Sequence, residues 1–497
     1  MTAFPASRGI EPNPESTRAS FAYSALGDLG SRFLFLAGYI VLARFLSPSE
    51  FGLVAIASVF IVILDVVIDL GFGPAIIRHD DLTNSLTQTA FWTNTLIGLA
   101  SAGILFLGAG QAASFFGSPE LKAVLEATCV VLVFDGLANV PLSLLRKRRE
   151  FRRIAMVEVG AGFASLVLGV ALALGGFGVY ALVAMLIVSS MLRMLLGFIF
   201  SRWGPEVRFS KRDFRELAAY GIPLCGTRVY TKVAVSVDQF LIGRMLSTSL
   251  LGAYRLAFQI VEIPTQIVAG VLHRVFFSLY AEHGNDRDTI RKAHLLATRS
   301  VAFFTFPALL GISALSERIV LVFFGERWIE MAPILAFLAV ISLFRNVGVL
   351  NDILYLSQGA TGLQFKVILV LRSIVILGTV IGVQFGIMGL LWGLLAARAI
   401  NFFPAYHFSG KLVGISVLES LKNLRGIVGS SLLMVVVLHL LQTWFAAGPG
   451  SWAALLLLVV VGATVYLACS FLLIREQCNE ILALLIPRFN RDASLEH

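Results

Sequence analysis

Charge is what this sequence lacks. Of 497 residues only 14% are Asp, Glu, Lys or Arg, against about 25% in soluble domains, and the mean hydropathy is +0.86. Those values exclude an ordinary water-soluble enzyme. Cysteine is equally scarce: Cys129, Cys225, Cys469 and Cys478 are scattered, and three of them stand in apolar blocks. That spacing suggests neither a disulfide framework nor a zinc site, and the thiols read as small buried apolar groups. Also missing are G-x-x-x-x-G-K-[ST], H-E-x-x-H and any loop with an Asp/Glu/His cluster of catalytic spacing. Neither ATP hydrolysis nor a cofactor or metal is therefore expected.

What is present is a series of apolar blocks of about 20 residues, the length that crosses a bilayer. Fourteen spans are expected, near residues 23–45, 51–73, 85–108, 121–144, 154–174, 178–200, 214–242, 250–275, 289–314, 331–356, 364–383, 386–407, 426–445 and 452–473. Two divisions rest on turn chemistry. The uncharged run Gly426 to Ile474 is too long for one span and breaks at Gly448-Pro449-Gly450, and Val159 to Leu192 breaks at Gly175-Gly176-Phe177-Gly178. Residues 1–22 are polar and rich in Pro and Ser, with no signal-peptide core or cleavage site, so they read as a disordered cytoplasmic tail.

The net charge of +9 could hint at nucleic acid in a soluble chain, but the basic residues gather at the ends of apolar blocks and act as topology signals instead. Alternate loops are basic: Arg146 to Arg153, Arg202 to Arg215, Arg287 to Lys292 and Lys411 to Arg425. The loops between them carry few or none. An even number of spans with both ends in the cytoplasm fits that alternation.

The first half of the chain recurs in the second. Arg44-Phe-Leu-Ser-Pro-Ser-Glu-Phe-Gly52 matches Arg244-Met-Leu-Ser-Thr-Ser-Leu-Leu-Gly252 at five of nine positions, 200 residues on. Phe115-Phe116-Gly117 matches Phe323-Phe324-Gly325, and Phe177-Gly178 to Leu182 matches Phe385-Gly386 to Leu390, each 208 residues on. The expected organisation is an N-terminal six-helix lobe at 23–201, a cytoplasmic linker at 202–213, a C-terminal six-helix lobe at 214–410, two added helices within 411–475 and a cytoplasmic tail at 476–497. Parallel repeats of this kind are a transporter architecture, with substrate held between the halves.

Ionisable residues inside spans are costly and invite a functional reading. Span 1 holds Asp28 and Arg32, and span 7 holds Arg228 and Lys232, at the same depth in the repeat and four residues apart, hence on one helical face. Facing each other across a cleft, Arg32 and Lys232 suit a phosphate or pyrophosphate; alternatively Arg32 is neutralised by Asp28 and snorkels to the surface. Asp28, Arg228 and Arg255 join them as substrate-binding candidates. Asp65 and Asp69 share a face of span 2, and Arg255 and Glu262 nearly do in span 8. Such carboxylates could carry protons or sodium, or form ion pairs with neighbouring helices. Asp238, six residues before Arg244, could serve either as a coupling group or as a helix-end salt bridge. Pro223 and Pro264 mark bends or hinges in spans 7 and 8, and Gly382-xxx-Gly386 permits close helix contact.

The stretch from Val237-Asp238 through Gly243-Arg244, Leu251-Gly252-Ala-Tyr254 and Ala257 to Pro264 resembles the segment "D-x-x-x-I-G-x-x-L…L-G-x-Y-x-x-A…P" of polysaccharide flippases. Leu42 to Gly52 resembles that family's first loop. The chain is most similar to the lipopolysaccharide and exopolysaccharide exporters, of the colanic-acid-exporter and O-antigen-flippase type, in the multidrug/oligosaccharidyl-lipid/polysaccharide exporter superfamily. The resemblance implies an all-α membrane protein with two six-helix lobes around a central cavity and two accessory helices. It implies transfer of polyprenyl-pyrophosphate-linked oligosaccharide from the cytoplasmic to the periplasmic leaflet of a bacterial inner membrane, alongside a saccharide polymerase and glycosyltransferases. In related flippases basic cavity residues engage the pyrophosphate, which fits Arg32 and Lys232, although the motif does not fix those positions. The charged first-span pattern of peptidoglycan-precursor flippases is not evident here. Two other readings stay open: a cation-coupled multidrug or metabolite antiporter, whose relatives usually stop at twelve helices, and a membrane-embedded saccharide polymerase or ligase, which generally needs a larger outer loop than any here.

Overall fold

The computed structural model describes residues 30, 33–79, 82–282, 286–348, 350–444, 450–475, 477, 478 and 480. Asp28 and Arg32 lie outside the described residues, as do the expected terminal tails and the Gly448-Pro449 part of the last turn. Among the described residues every regular element is a helix. In order they are α1 (Phe33–Ala43), α2 (Pro48–Asp69), α3 (Phe72–Arg78), α4 (Asn84–Phe116), α5 (Glu120–Lys147), α6 (Phe151–Leu174), α7 (Val179–Ser201), α8 (Lys211–Met245) and α9 (Thr248–Glu282). They continue as α10 (Arg287–Ala314), α11 (Ser316–Phe323), α12 (Met331–Val347), α13 (Asn351–Ser357), α14 (Thr361–Val383), α15 (Gly386–Val413), α16 (Val417–Trp444) and α17 (Trp452–Leu473).

Eleven of these segments are long and apolar enough to cross a membrane, with α12 and α13 counted together. The chain is a multi-pass membrane protein. The three expected spans that do not meet that standard are α1, which is described only from residue 33, and the 35-residue helices α8 and α9. Both long helices carry charge along their length, and at about 1.5 Å per residue they run roughly 50 Å, well beyond a hydrocarbon core of about 30 Å.

Local chemistry sets the ends. Thr83 caps α4 by accepting the Leu86 N–H at 3.2 Å, and Ser451 caps α17 by accepting that of Ala454 at 3.3 Å. Two expected spans are interrupted. The block 51–73 stops at Asp69, where Leu70 and Gly71 take positive φ values of 46° and 73°, and the chain restarts as the short helix α3. The block 331–356 divides near Gly348 into α12 and α13. Hydropathy averaged over each block is high enough for one span, so neither break changes the apolar period.

The chain forms two compact units, one of residues up to Leu46 with Leu53–Ser236, the other of Ser47–Gly52 with Val237 onward. The division thus falls inside α8 rather than at the 202–213 linker. Hydrogen bonds give the reason: Gln88 and Trp92 of α4 bind the backbone of Gly204 and Glu206, and Thr89 accepts the Ser210 N–H at 3.0 Å. The linker and the first part of α8 are thereby built into the first unit. In the second unit Ala302, Phe306, Met434, Leu438, Leu458 and Tyr466 belong to a buried cluster uniting α10, α16 and α17.

The repeat also has a structural counterpart within the second unit. Gly52 lies against the Thr248 carbonyl, and Gly252 lies against the Pro48 carbonyl, so closely that neither has room for a β-carbon. The two positions are related by the same 200-residue offset, so one contact is made twice with its roles exchanged. On the α14/α15 hairpin the close approach allowed by Gly382 is made instead with Gly389, and by Gly378 with Gly393.

Candidate functional site

In the first unit α2, α5 and α7, each apolar and long enough to cross a membrane, gather a charged network with α8. Asp69, the last residue of α2, is fully engaged. Its Oδ1 accepts the Gly73 N–H at 2.9 Å and Asn139 Nδ2 at 3.0 Å, while Oδ2 accepts Arg228 Nη1 at 2.9 Å. The turn at Leu70–Gly71 brings the Gly73 N–H back to that carboxylate. Asp135 on α5 accepts the Ser190 hydroxyl at 2.5 Å and Arg193 Nη2 at 3.3 Å, both from α7. Glu158 on α6 adds a second negative charge near Arg193.

Asp65 and Lys232 stand apart. Neither has a hydrogen-bond or ion-pair partner among the described residues, and both side chains are exposed. They lie within electrostatic reach of each other, and Asp65 is also within reach of Asp69, Asp135 and Arg193. The i,i+4 spacing in α2 therefore yields one occupied and one unoccupied carboxylate, and the same spacing in α8 yields one matched and one unmatched cation.

The remaining candidates fall in the second unit. Asp238 accepts the Tyr254 hydroxyl at 2.5 Å and the Gln239 N–H at 2.7 Å, with Arg255 and Arg398 in its field. Glu262 pairs with Arg345 of α12 and accepts Gln266 Nε2 at 2.8 Å. The structure thus joins Glu262 to a residue 83 positions away rather than to Arg255, its near-neighbour on the helical face. Because Arg345 also lies over the Phe258 ring at 5.7 Å, the pair is flanked by an aromatic face.

Sequence reasoning missed Asp135, although an ionisable residue inside span 4 was itself a signal. Buried His294, bonded to the Tyr280 hydroxyl at 3.0 Å, was also missed. Among the described residues no group of three or more His, Cys, Asp and Glu side chains is placed to hold a metal ion. All four cysteines are free, with Cys225 and Cys478 buried.

The fold is shared with a solved structure of the lipid II flippase MurJ in an inward closed conformation, at a TM-score of 0.66 over 93% of this chain and 98% of that one. Sequence identity there is 19%, so the likeness is one of fold. The succinoglycan biosynthesis transport protein ExoT of Rhizobium meliloti is 26% identical over 491 residues, 97% of this chain and 98% of its own length. The teichuronic acid biosynthesis protein TuaB of Bacillus subtilis is 27% identical over 309 residues, 61% of this chain and 63% of its own length. The family model described as polysaccharide biosynthesis protein matches residues 41–333, more than half of the sequence, and the chain belongs to that family.

Proposed function

We propose that this chain is a flippase. It moves polyprenyl-pyrophosphate-linked oligosaccharide, a lipopolysaccharide or exopolysaccharide repeat unit, from the cytoplasmic to the periplasmic leaflet of a bacterial inner membrane by alternating access. In this reading both termini are cytoplasmic, and a saccharide polymerase and glycosyltransferases act beside it. Family membership, a full-length relative named as a succinoglycan transport protein, and the fold shared with a lipid II flippase all support it.

The observation that carries the chemistry is Lys232. An ammonium within a membrane helix normally has a partner, and its neighbours Arg228 and Arg193 are both paired with carboxylates. Lys232 has none among the described residues. Asp65 is within electrostatic reach but not in contact, so a pyrophosphate supplies the direct partner, with Lys232 as a point charge and Arg32 and Arg228 as further donors, while Arg255 is a separate candidate of the second unit. Asp28 is proposed with them as a substrate-binding residue. Asp65, the unoccupied carboxylate, is the first candidate for a coupling proton or sodium ion; Asp69, Asp238 and Glu262 already hold donors and rank behind it.

Asp65 also favours one second reading, a cation-coupled antiporter for drugs or metabolites, in which the carboxylate is essential and Lys232 is dispensable. The decisive measurement is the leaflet distribution of polyprenyl-pyrophosphate-linked saccharide in a deletion strain. Native protein is expected to clear glycolipid accumulated on the cytoplasmic side, and an Arg32→Ala/Lys232→Ala variant that expresses and inserts normally is expected to fail. Clearance by the double variant removes the phosphate clamp, and an unchanged lipid pool on deletion removes the substrate class in favour of the antiporter.

A further inference from the structure

The second unit contains a cavity of about 300 Å³ walled by α12, α13, α14 and α15. Its lining is electrically lopsided, with the guanidinium groups of Arg345, Arg372 and Arg398 and a single carboxylate, Asp352. Arg345 is held by Glu262. Arg398 has no hydrogen-bond or ion-pair partner among the described residues; it lies close enough to Arg345 and Arg372 to be repelled by both, and the attraction of Asp238, also within its reach, is weaker than either repulsion. Like charges held together in a site of low dielectric raise its energy until an anion enters.

Four polar atoms in the same wall are buried without a partner: Arg345 Nη2, Asn351 Oδ1, Tyr355 Oη and Asn401 Oδ1. Buried polar atoms are nearly always bonded, so four orphans around one cavity describe a set of contacts that the protein does not complete. The Asn401 amide is fixed through its nitrogen, which donates to the Leu371 carbonyl at 2.7 Å, leaving the oxygen as an acceptor. Nor does the fold demand these arginines. At the 208-residue offset of the repeat, the positions of Arg345, Arg372 and Arg398 are Leu137, Ala164 and Ser190. The same helical scaffold is built without them in the first half.

We propose that this cavity binds a carboxylate-bearing sugar, so that the saccharide selected by the flippase carries an acidic residue; this inference rests on the flippase reading. A guanidinium fork matches a planar carboxylate through two parallel hydrogen bonds. The Asn401 oxygen and Tyr355 hydroxyl suit sugar hydroxyls, and the Phe344 and Phe402 rings offer apolar surface to the ring carbons. A bare phosphate uses the arginines but neither the amide nor the rings. The volume is at the small end of ligand clefts, about 300 Å³, which suits one glycan residue rather than a whole repeat unit.

The test uses the purified full chain in nanodiscs of phosphatidylcholine, titrated with methyl glucuronide, methyl glucoside and inorganic phosphate while thermal unfolding is followed. The two glycosides differ only in the carboxylate. Methyl glucuronide is expected to bind at least about tenfold more tightly than methyl glucoside, the scale of one charge-assisted hydrogen bond. Arg398→Gln and Arg372→Gln should each erase most of that preference, whereas Lys122→Gln, a surface change in α5, should keep it. The wild-type comparison alone decides the matter if a variant fails to fold. Equal binding of the two glycosides, phosphate binding as well as glucuronide, loss of the preference when phosphatidylglycerol replaces part of the lipid, or a preference untouched by Arg398→Gln each overturns the assignment. Selectivity lost while glycolipid is still cleared from the cytoplasmic leaflet sinks this inference and leaves the flippase reading standing. Glucuronide binding with unchanged leaflet sidedness does the reverse.

Discussion

Asp65 and Asp69 show how two identical side chains on one helical face part company once neighbours are in place. Asp69 accepts three hydrogen bonds, from Gly73, Asn139 and Arg228, whereas Asp65 accepts none from the described residues. Asp69→Ala strands three donors, one of them charged, and should cost about 1–3 kcal/mol, the penalty for unsatisfied buried groups. Asp65→Ala removes no such contact and should stay within about 0.5 kcal/mol, while transport falls if Asp65 carries the coupling ion. Thermal unfolding in detergent compares the two, and equal destabilisation would contradict this division of roles. Periodicity made the shared face of these carboxylates legible. It could not tell which of them meets Arg228, because that depends on the neighbouring helix and its rotation. The same limit explains why Glu262 was read beside Arg255 when Arg345, on another helix, is its partner, and why Asp135 escaped notice.

Helix boundaries were far more legible. The expected spans 154–174, 178–200 and 452–473 correspond to Phe151–Leu174, Val179–Ser201 and Trp452–Leu473. Glycine turns mark such ends in the sequence itself: Gly176 and Gly178 both take positive φ. The break at Leu70–Gly71 was illegible because a leucine rarely adopts the φ of 46° found there. At the level of elements, the reciprocal contact of Gly52 and Gly252 gives the sharpest expectation. A β-carbon at either position collides with backbone rather than with a yielding side chain. Gly52→Ala and Gly252→Ala should each destabilise by about 1–3 kcal/mol, the usual cost of overpacking. Gly108→Ala, within α4 and with nothing within 4 Å of its new methyl group, should be neutral or stabilising by up to about 1 kcal/mol through helix propensity. Melting temperatures of the three variants check the contrast, and a tolerant Gly52→Ala would mean that the loop yields and the contact has no structural role.

For the whole molecule, the distribution of charge reaches beyond single contacts. Six basic residues lie between Arg146 and Arg153, opposed by Glu150 alone, and they surround the C-terminal end of α5. Some are locally engaged: Arg148 donates to the Ser201 carbonyl at 2.8 Å, and Arg153 pairs with Glu150. Arg146, Arg149 and Arg152 remain exposed. Basic loops are retained in the cytoplasm, and α5, with 28 residues, is about 42 Å long and able to cross a hydrocarbon core of about 30 Å. On the flippase reading its two ends are expected on opposite sides, with Glu120 periplasmic. In a background with Cys129, Cys225, Cys469 and Cys478 replaced by Ser, Glu120→Cys should react with a membrane-impermeant maleimide in spheroplasts. Arg152→Cys should react only after the membrane is opened. Labelling of both sites from outside would show that α5 does not span, and the reverse pattern would invert the entire alternation, placing both termini in the periplasm and turning the direction of transport inferred from it.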